Sequence, residues 1–269
     1  MRFRKLRVPI IGTLPFTRKT QVMLACAACV MFVATAIMAN AAFFSSESAA
    51  YDDVALQFSS PGSSPCGLTW DGEHLWLADD GTDTIYKVSA ANGSVLQSFS
   101  APGSDPRGLA WDGQSLWTSD NATHRVYKLD SRDGTVLLSL DAPDLPGAEV
   151  LPELGGLTWD GENLWCGTVA GWSSKMNEVD PQDGTFKRSY FTKGYPRALA
   201  TDGTFIWNAT DNGGMRLGLV YKYKLSDGLY VSDFDTPGFY PAGLTFDGQH
   251  LWCVDKETKT VYRLAAAEK

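Results

Sequence analysis

Cysteine, histidine and basic residues are all scarce in this chain, and each shortage removes a class of function. Two of the five cysteines, Cys26 and Cys29, lie in an N-terminal apolar run, which leaves Cys66, Cys166 and Cys253. Three is an odd number with no paired spacing, so neither a disulfide framework nor a Cys/His metal site can be read. The three histidines, His74, His124 and His250, stand in no metal-binding spacing, and no Ser-His-Asp set or Gly-rich phosphate loop is present. No metal or cofactor is expected, and no catalytic residue can be named. With 23 basic against 31 acidic residues the net charge is −8, and an acidic chain is a poor partner for nucleic acid or anionic lipid.

The basic residues are unevenly placed. Arg2, Arg4, Lys5, Arg7, Arg18 and Lys19 stand in the first 41 residues with no acidic residue among them, and residues 22–44 form a near-continuous apolar run. Ala39-Asn40-Ala41 offers a small-residue cleavage pattern, so residues 1–41 read as a secretory signal peptide. Left uncut, residues 22–44 are long enough to span a bilayer and would anchor the chain, its only contact with a membrane. Either way the expected address is outside the cytoplasm, periplasmic or extracellular. Loss of those six positive charges would take the domain from −8 to −14. A short linker, 42–51, precedes a domain at 52–266, and 267–269 is a tail.

What the chain has in plenty is one phrase. GLTWDGEHLW at 67–76 returns as GLAWDGQSLW at 108–117, GLTWDGENLW at 156–165, ALATDGTFIW at 198–207 and GLTFDGQHLW at 243–252. A unit of roughly 40–48 residues written five times is the mark of a propeller. Each copy reads as strand, Asp-Gly turn and strand, because glycine accepts the left-handed backbone a tight hairpin needs. A third strand such as Thr84-Ile85-Tyr86-Lys87-Val88, a second turn and a fourth strand complete a four-stranded blade. The last copy stops after its third strand, whereas residues 54–62 match the fourth strand and loop of the next blade. The N-terminal strand is therefore expected to complete the last blade and remove two raw sheet edges. The expected fold is all-β, a five-bladed propeller of antiparallel blades closed in this way, behind an N-terminal hydrophobic helix.

Eight of the nine tryptophans fall at two repeat positions and read as packing between blades, since a ring core needs five-fold copies and a ligand site does not. The five turn aspartates read as turn formers. Cys166 and Cys253 occupy the same strand position in non-neighbouring blades and cannot bridge. Cys66 and Cys253 fall in adjacent blades, where they either meet or fill gaps as buried thiols.

Site candidates come from the irregularities. The loops leading into first strands are short in four blades but run from 142 to 155 in the third, with Glu149 and Glu153. The loops between second and third strands are expanded in the third blade (169–177, with Trp172 and Lys175) and the fourth (211–219, with Arg216). All three insertions belong to one face, and expanded loops on a rigid scaffold are where function usually sits. Two repeat positions would line the channel mouth there: Cys66, Arg107, Gly155, Arg197 and Ala242 before the first strands, and Asp79, Asp120, Thr168, Thr210 and Asp255 after the second-strand tryptophans. Arg107 and Arg197 could clamp a carboxylate or phosphate. Asp79, Asp120 and Asp255 either hold a hard cation or cap the following turns. The expected ligand contacts are Arg107, Arg197, Glu153, Trp172, Tyr195 and Asp120.

The recurring GL-x-W-DG-x-x-LW, with its IYK or VYK strand and DG-T-V turn, resembles bacterial secreted five-bladed propellers of the glutamine cyclotransferase-like kind and, less closely, streptogramin lyase-like propellers. The resemblance covers residues 54–264. It implies a five-bladed ring and, for the cyclotransferases, acidic residues beside the Gly-Leu of the first strands. Here those places read Cys66, Arg107, Gly155, Arg197 and Ala242, with Glu153 two residues further out. The leading expectation is a binding module that engages a small ligand, a glycan or a protein on the inserted-loop face. The alternatives are a cyclotransferase-like or lyase-like enzyme using Glu149 or Glu153 as acid/base, and a structural envelope protein.

Overall fold

The computed structural model describes residues 54–142, 151–171, 173–211 and 217–264. The N-terminal helix and leader, Glu149, Trp172 and Arg216 lie outside the described residues. Strand β1 (Val54–Ser59) comes first, followed by blade 1: β2 (Pro65–Trp70), β3 (Leu75–Asp79), β4 (Thr84–Val88) and β5 (Val95–Ser100). Blade 2 holds β6 (Pro106–Trp111), β7 (Leu116–Asp120), β8 (Arg125–Leu129) and β9 (Val136–Asp141). Blade 3 holds β10 (Glu153–Trp159), β11 (Leu164–Ala170), β12 (Ser173–Val179) and β13 (Phe186–Phe191). Blade 4 holds β14 (Ala198–Thr201), β15 (Phe205–Thr210), β16 (Leu219–Lys224) and β17 (Tyr230–Asp235). Blade 5 holds β18 (Pro241–Phe246), β19 (Leu251–Asp255) and β20 (Thr260–Leu264), and β1 completes it in the order β1-β20-β19-β18. The pairing is antiparallel and runs from Val54 opposite Leu264 to Ser59 opposite Thr260. The inner strands touch in the cycle β2, β6, β10, β14, β18 and back to β2, which makes the sheets a ring.

The repeated phrase is explained by two residues five apart. In blade 1 one oxygen of Asp71 accepts the Glu73 and His74 amides at 3.0 and 2.7 Å, while the other accepts Trp76 Nε1 at 2.9 Å. The turn is thereby closed and the indole locked at one stroke. Asp112 holds Trp117, Asp160 holds Trp165 and Asp247 holds Trp252 in the same way. The glycine after each aspartate has φ between +84° and +105°, the left-handed region where a side chain is strained. Each tryptophan then fills the wedge to the next blade. Trp117 packs with Leu154, Leu157, Leu164 and Cys166 of blade 3, and Trp252 with Leu68, Leu75 and Leu77 of blade 1.

Blade 4 departs from the rule. Asp202 caps its turn through the Thr204 and Phe205 amides, but the buried Trp207 Nε1 has no partner. Trp207 is held instead by stacking on Phe246 at 5.7 Å and by Lys222. Replacing Trp165 by Phe should therefore cost about 1 kcal/mol more than replacing Trp207, because only the first change leaves an aspartate without its donor. Urea midpoints of the two variants check this.

The glycine that opens the phrase has a different cause. A Cβ on Gly108 would stand 2.3 Å from the Leu157 amide nitrogen, and one on Gly67 2.5 Å from the Arg107 carbonyl oxygen. At these two positions the inner strands meet backbone to backbone and leave no room for a Cβ, whereas blade 4 has Ala198 at the equivalent place. Blade 3 shows a compensated exchange on its outer side. Where blades 1 and 2 place Lys87 and Lys128 against Asp71 and Asp112, blade 3 has Glu178, which pairs with Arg188. The Arg188 guanidinium lies 5.3 Å from the Trp165 ring, so the cation over the tryptophan is kept although its strand has changed. Cys66, Cys166 and Cys253 are all free and buried. Burial pushes the Cys166 thiol up to about 12.

Candidate functional site

The lead-in loops and the loops between second and third strands share one end of the ring, here the upper face. In three blades an aspartate ties them together. Asp79 accepts from the Ser64 amide at 2.6 Å, the Gly81 amide at 3.2 Å and the Thr82 hydroxyl at 2.9 Å. Asp120 accepts from the Asp105 amide and from both the amide and hydroxyl of Thr123, each at 2.8 Å. Asp255 accepts from the Tyr240 and Thr258 amides at 2.6 and 2.8 Å. The threonines continue the chain to tyrosines: Tyr86 to Thr82, Tyr127 to Thr123, and Tyr262 to Thr258.

This corrects the expectation for Asp120. It is fully buried, its oxygens are taken by loop donors, and it does not line the channel mouth. Asp79 and Asp255 serve the same bracing role, and among the described residues no acidic, histidine or cysteine group is arranged to hold a metal ion. In blades 3 and 4 the aspartate is replaced by Thr168 and Thr210. Thr168 accepts from Asn177 within its own blade, and Thr210 donates to the Asp211 carbonyl. The two blades without the brace are also the irregular ones, but one expectation is corrected. Residues 169–177 of blade 3 are not a loop, because β11 and β12 stay paired up to Ala170 and Ser173 and only 171–172 lie between them. The expansions are the lead-in to β10 and the connection from β15 to β16.

The repeat position expected before each first strand lies inside β2, β6, β10 and β18 and one residue before β14, and its residues do converge. Cys66, Arg107, Gly155, Arg197 and Ala242 line one small cavity at the channel mouth, together with Leu154, Tyr195, Tyr240 and Lys256. Its volume is about 20 Å³, close to what one water-sized group needs. Three cations face it, and each has a carboxylate that is not part of the lining. Arg107 pairs with Asp105 at 2.7 Å and with Asp80 at 3.6 Å; Lys256 pairs with the same Asp80 at 2.5 Å. Arg197 meets Asp211 through Nη2 at 2.8 Å and Nε at 3.1 Å. Its guanidinium lies between the rings of Tyr195 and Tyr240, 4.5 and 4.3 Å from their centres.

The electrostatics follow from these pairs. Burial works against the charge of Arg107, but Asp105 more than offsets it, and the group is held above the ordinary arginine range. Burial raises the Cys66 thiol well above its usual value, and the nearby Asp80 charge adds to the effect. That thiol donates to the Pro106 carbonyl and is no nucleophile at neutral pH. The Tyr195 hydroxyl donates to Glu153 at 3.2 Å, and burial followed by that carboxylate raises its pKa. Glu153 is exposed beside the cavity rather than buried within it.

Of the expected contacts, then, Arg107, Arg197 and Tyr195 come together at the mouth, Glu153 reaches it through Tyr195, and Trp172 lies outside the described residues. Lys256, Tyr240 and the carboxylates Asp80 and Asp211 escape the sequence reading. A signal for them exists: Asp80, Asp211 and Lys256 share one repeat position, a single residue beyond the one inspected. Tyr195-Pro196 and Tyr240-Pro241 likewise repeat one another. Tyr195 also lines a second, open groove of about 620 Å³ with Ala170, Gly171, Ser173, Ser174, Phe191, Thr192 and Gly194.

No protein-family model and no curated protein matches the chain. Glutaminyl cyclase of Myxococcus xanthus superposes with a TM-score of 0.64 at 12% identity, covering 80% of this chain and 97% of that one. A chain of a nidogen/laminin complex superposes with a TM-score of 0.51 at 18% identity, over 76% of this chain and 77% of that one. At such identities the likeness is one of fold. The chain is a five-bladed β-propeller, and its fold is similar to that of the Myxococcus xanthus glutaminyl cyclase.

Proposed function

We propose that this chain is an exported binding module that takes an anionic group of a small ligand, glycan or protein at the channel mouth. The observation that carries the reading is the layering of charge: Arg107, Arg197 and Lys256 line the cavity while Asp80, Asp105 and Asp211 stand behind them. Carboxylates so placed hold the cations in fixed orientations, and preorganised donors bind an anion at lower entropic cost. Binding is favoured over the cyclotransferase-like or lyase-like reading because no carboxylate lines the cavity among the described residues and Glu153 is exposed. The export half rests on the basic lead, the apolar run and Ala39-Asn40-Ala41.

Acetate and inorganic phosphate are suitable probes, followed by nuclear magnetic resonance of the arginine side chains. Changing Arg197 to Ala should weaken acetate by about 1.5–3 kcal/mol, the size of a lost charge-assisted contact. The loss of two cation–π contacts should lower stability by only about 1 kcal/mol. Equal acetate affinity in the two proteins would remove the anion pocket from consideration.

A further inference from the structure

The open groove beside the cavity extends the reading just given and rests on it. Tyr195 lines both spaces, and its ring stacks on Arg197, so a ligand held at the channel mouth continues along Tyr195 into the groove. The groove walls are small or hydroxylic, namely Ala170, Gly171, Gly194, Ser173, Ser174 and Thr192. Phe191 is the exception. It is the last residue of β13, the outermost strand of blade 3, and its ring is 73% exposed. An aromatic ring left that open costs hydration. Lys175 Nζ stands 5.0 Å from its centre, so a cation accompanies the ring at the far end as Arg197 accompanies Tyr195 at the near end.

Aromatic face, hydroxyls and cation, repeated at two ends of one groove, match a chain whose units are flat, hydroxylated and individually anionic. We infer that the groove and the channel-mouth cavity together bind an acidic oligosaccharide. One sugar ring stacks on Phe191 with its carboxylate towards Lys175. The terminal carboxylate enters the small cavity among Arg197, Arg107 and Lys256. A neutral sugar uses the ring and hydroxyls but leaves the cations unanswered. An acidic peptide answers the cations but offers no hydroxylated face to Phe191, Ser173 and Ser174. The cavity has room for little more than one water-sized group, so it can take a single oxygen of a carboxylate and the body of the ligand must lie in the groove.

The test titrates the purified full-length protein with galacturonate, its trimer, the neutral galactose trimer and a glutamate tripeptide. The acidic trimer should bind about tenfold more tightly than the monomer, the gain expected of one added aromatic contact together with one added exposed ion pair at Lys175. Phe191→Ala should bring the ratio of trimer to monomer affinity down to about one, and the 73% exposure of Phe191 makes its truncation harmless to folding. Arg197→Ala should weaken monomer and trimer alike. An acidic trimer no tighter than the monomer, or a Phe191→Ala variant that binds it undiminished, overturns the inference while the monomer still reports on the anion cavity. A glutamate tripeptide that gains as much from Phe191 as the sugar trimer also overturns it, in favour of a peptide ligand. Loss of monomer binding altogether refutes the cavity reading, and this inference falls with it.

Discussion

Deleting residues 51–60 should lower the thermal midpoint by about 6–12 °C and broaden the transition. The segment contains β1, which supplies the outer strand of the last blade and buries Leu56 and Phe58 against the cluster of Leu68, Leu75, Val88, Trp252 and Val261. Phe58 also meets the Trp252 ring at 6.3 Å. Burying such a side chain in full is worth about 1.5–3 kcal/mol. Both are only half-buried, so their joint loss is set at about 3 kcal/mol. A domain of this size shifts by about 2–4 °C for each kcal/mol. The strand also satisfies the edge of β20, and without it Leu264, Tyr262 and Thr260 face solvent along an open ladder. Differential scanning calorimetry decides the matter. A deleted protein that melts cooperatively at the original temperature would show that the ring holds without its closing strand.

Gly108→Val should be worse than any substitution at the turn glycine five residues later. At Gly108 the added carbon meets the Leu157 nitrogen at 2.3 Å and the Gly156 carbonyl carbon at 2.7 Å, both backbone atoms that cannot rotate away. Two inner strands must separate, and the expected cost is about 3 kcal/mol or more. At Gly113 nothing lies within 4 Å of the added carbon, so Gly113→Ala pays only for its φ of +93°. That strain is about 1–2 kcal/mol. Denaturant unfolding of the pair separates the two mechanisms. Equal losses would mean that the blades can slide apart at little cost and that the close approach at the axis is not a constraint.

The ring and its closure were legible because the information is local and repeated. Each Asp-Gly pair announces its own turn, and the orphan at 54–62 differs little from 95–103. The repeat position expected before each first strand was legible for the same reason: in a ring, one register position is one circle around the axis. The partners were harder to see. Lys256 and Asp80 are 176 residues apart, and their meeting depends on blades 5 and 1 being neighbours, which only closure establishes. The partners of Asp120 are the backbone amides of Asp105 and Thr123, which leave no trace in residue type, and the Thr123 hydroxyl, whose trace is the threonine repeated at Thr82 and Thr258. The groove at Phe191 was invisible for another reason. Its walls are glycine, alanine, serine and threonine, residues whose importance lies in the room they leave.

The aspartate braces have a consequence for how this molecule can change over generations. A loop tied by two or three hydrogen bonds to one buried carboxylate has its length fixed, since an inserted residue breaks the tie and strands the charge. A loop without that tie faces only the entropy of closure, which rises by about 0.6 kcal/mol for each doubling of length. Blades 1, 2 and 5 are thus held in length by Asp79, Asp120 and Asp255, while the lead-in to β10 and the connection from β15 to β16, in the blades with Thr168 and Thr210, lack that tie and can change length more cheaply. Variation is funnelled to one side of the ring, next to the cations that blades 1, 2, 4 and 5 hold in place. New specificities can be tried there without renegotiating the scaffold that presents them.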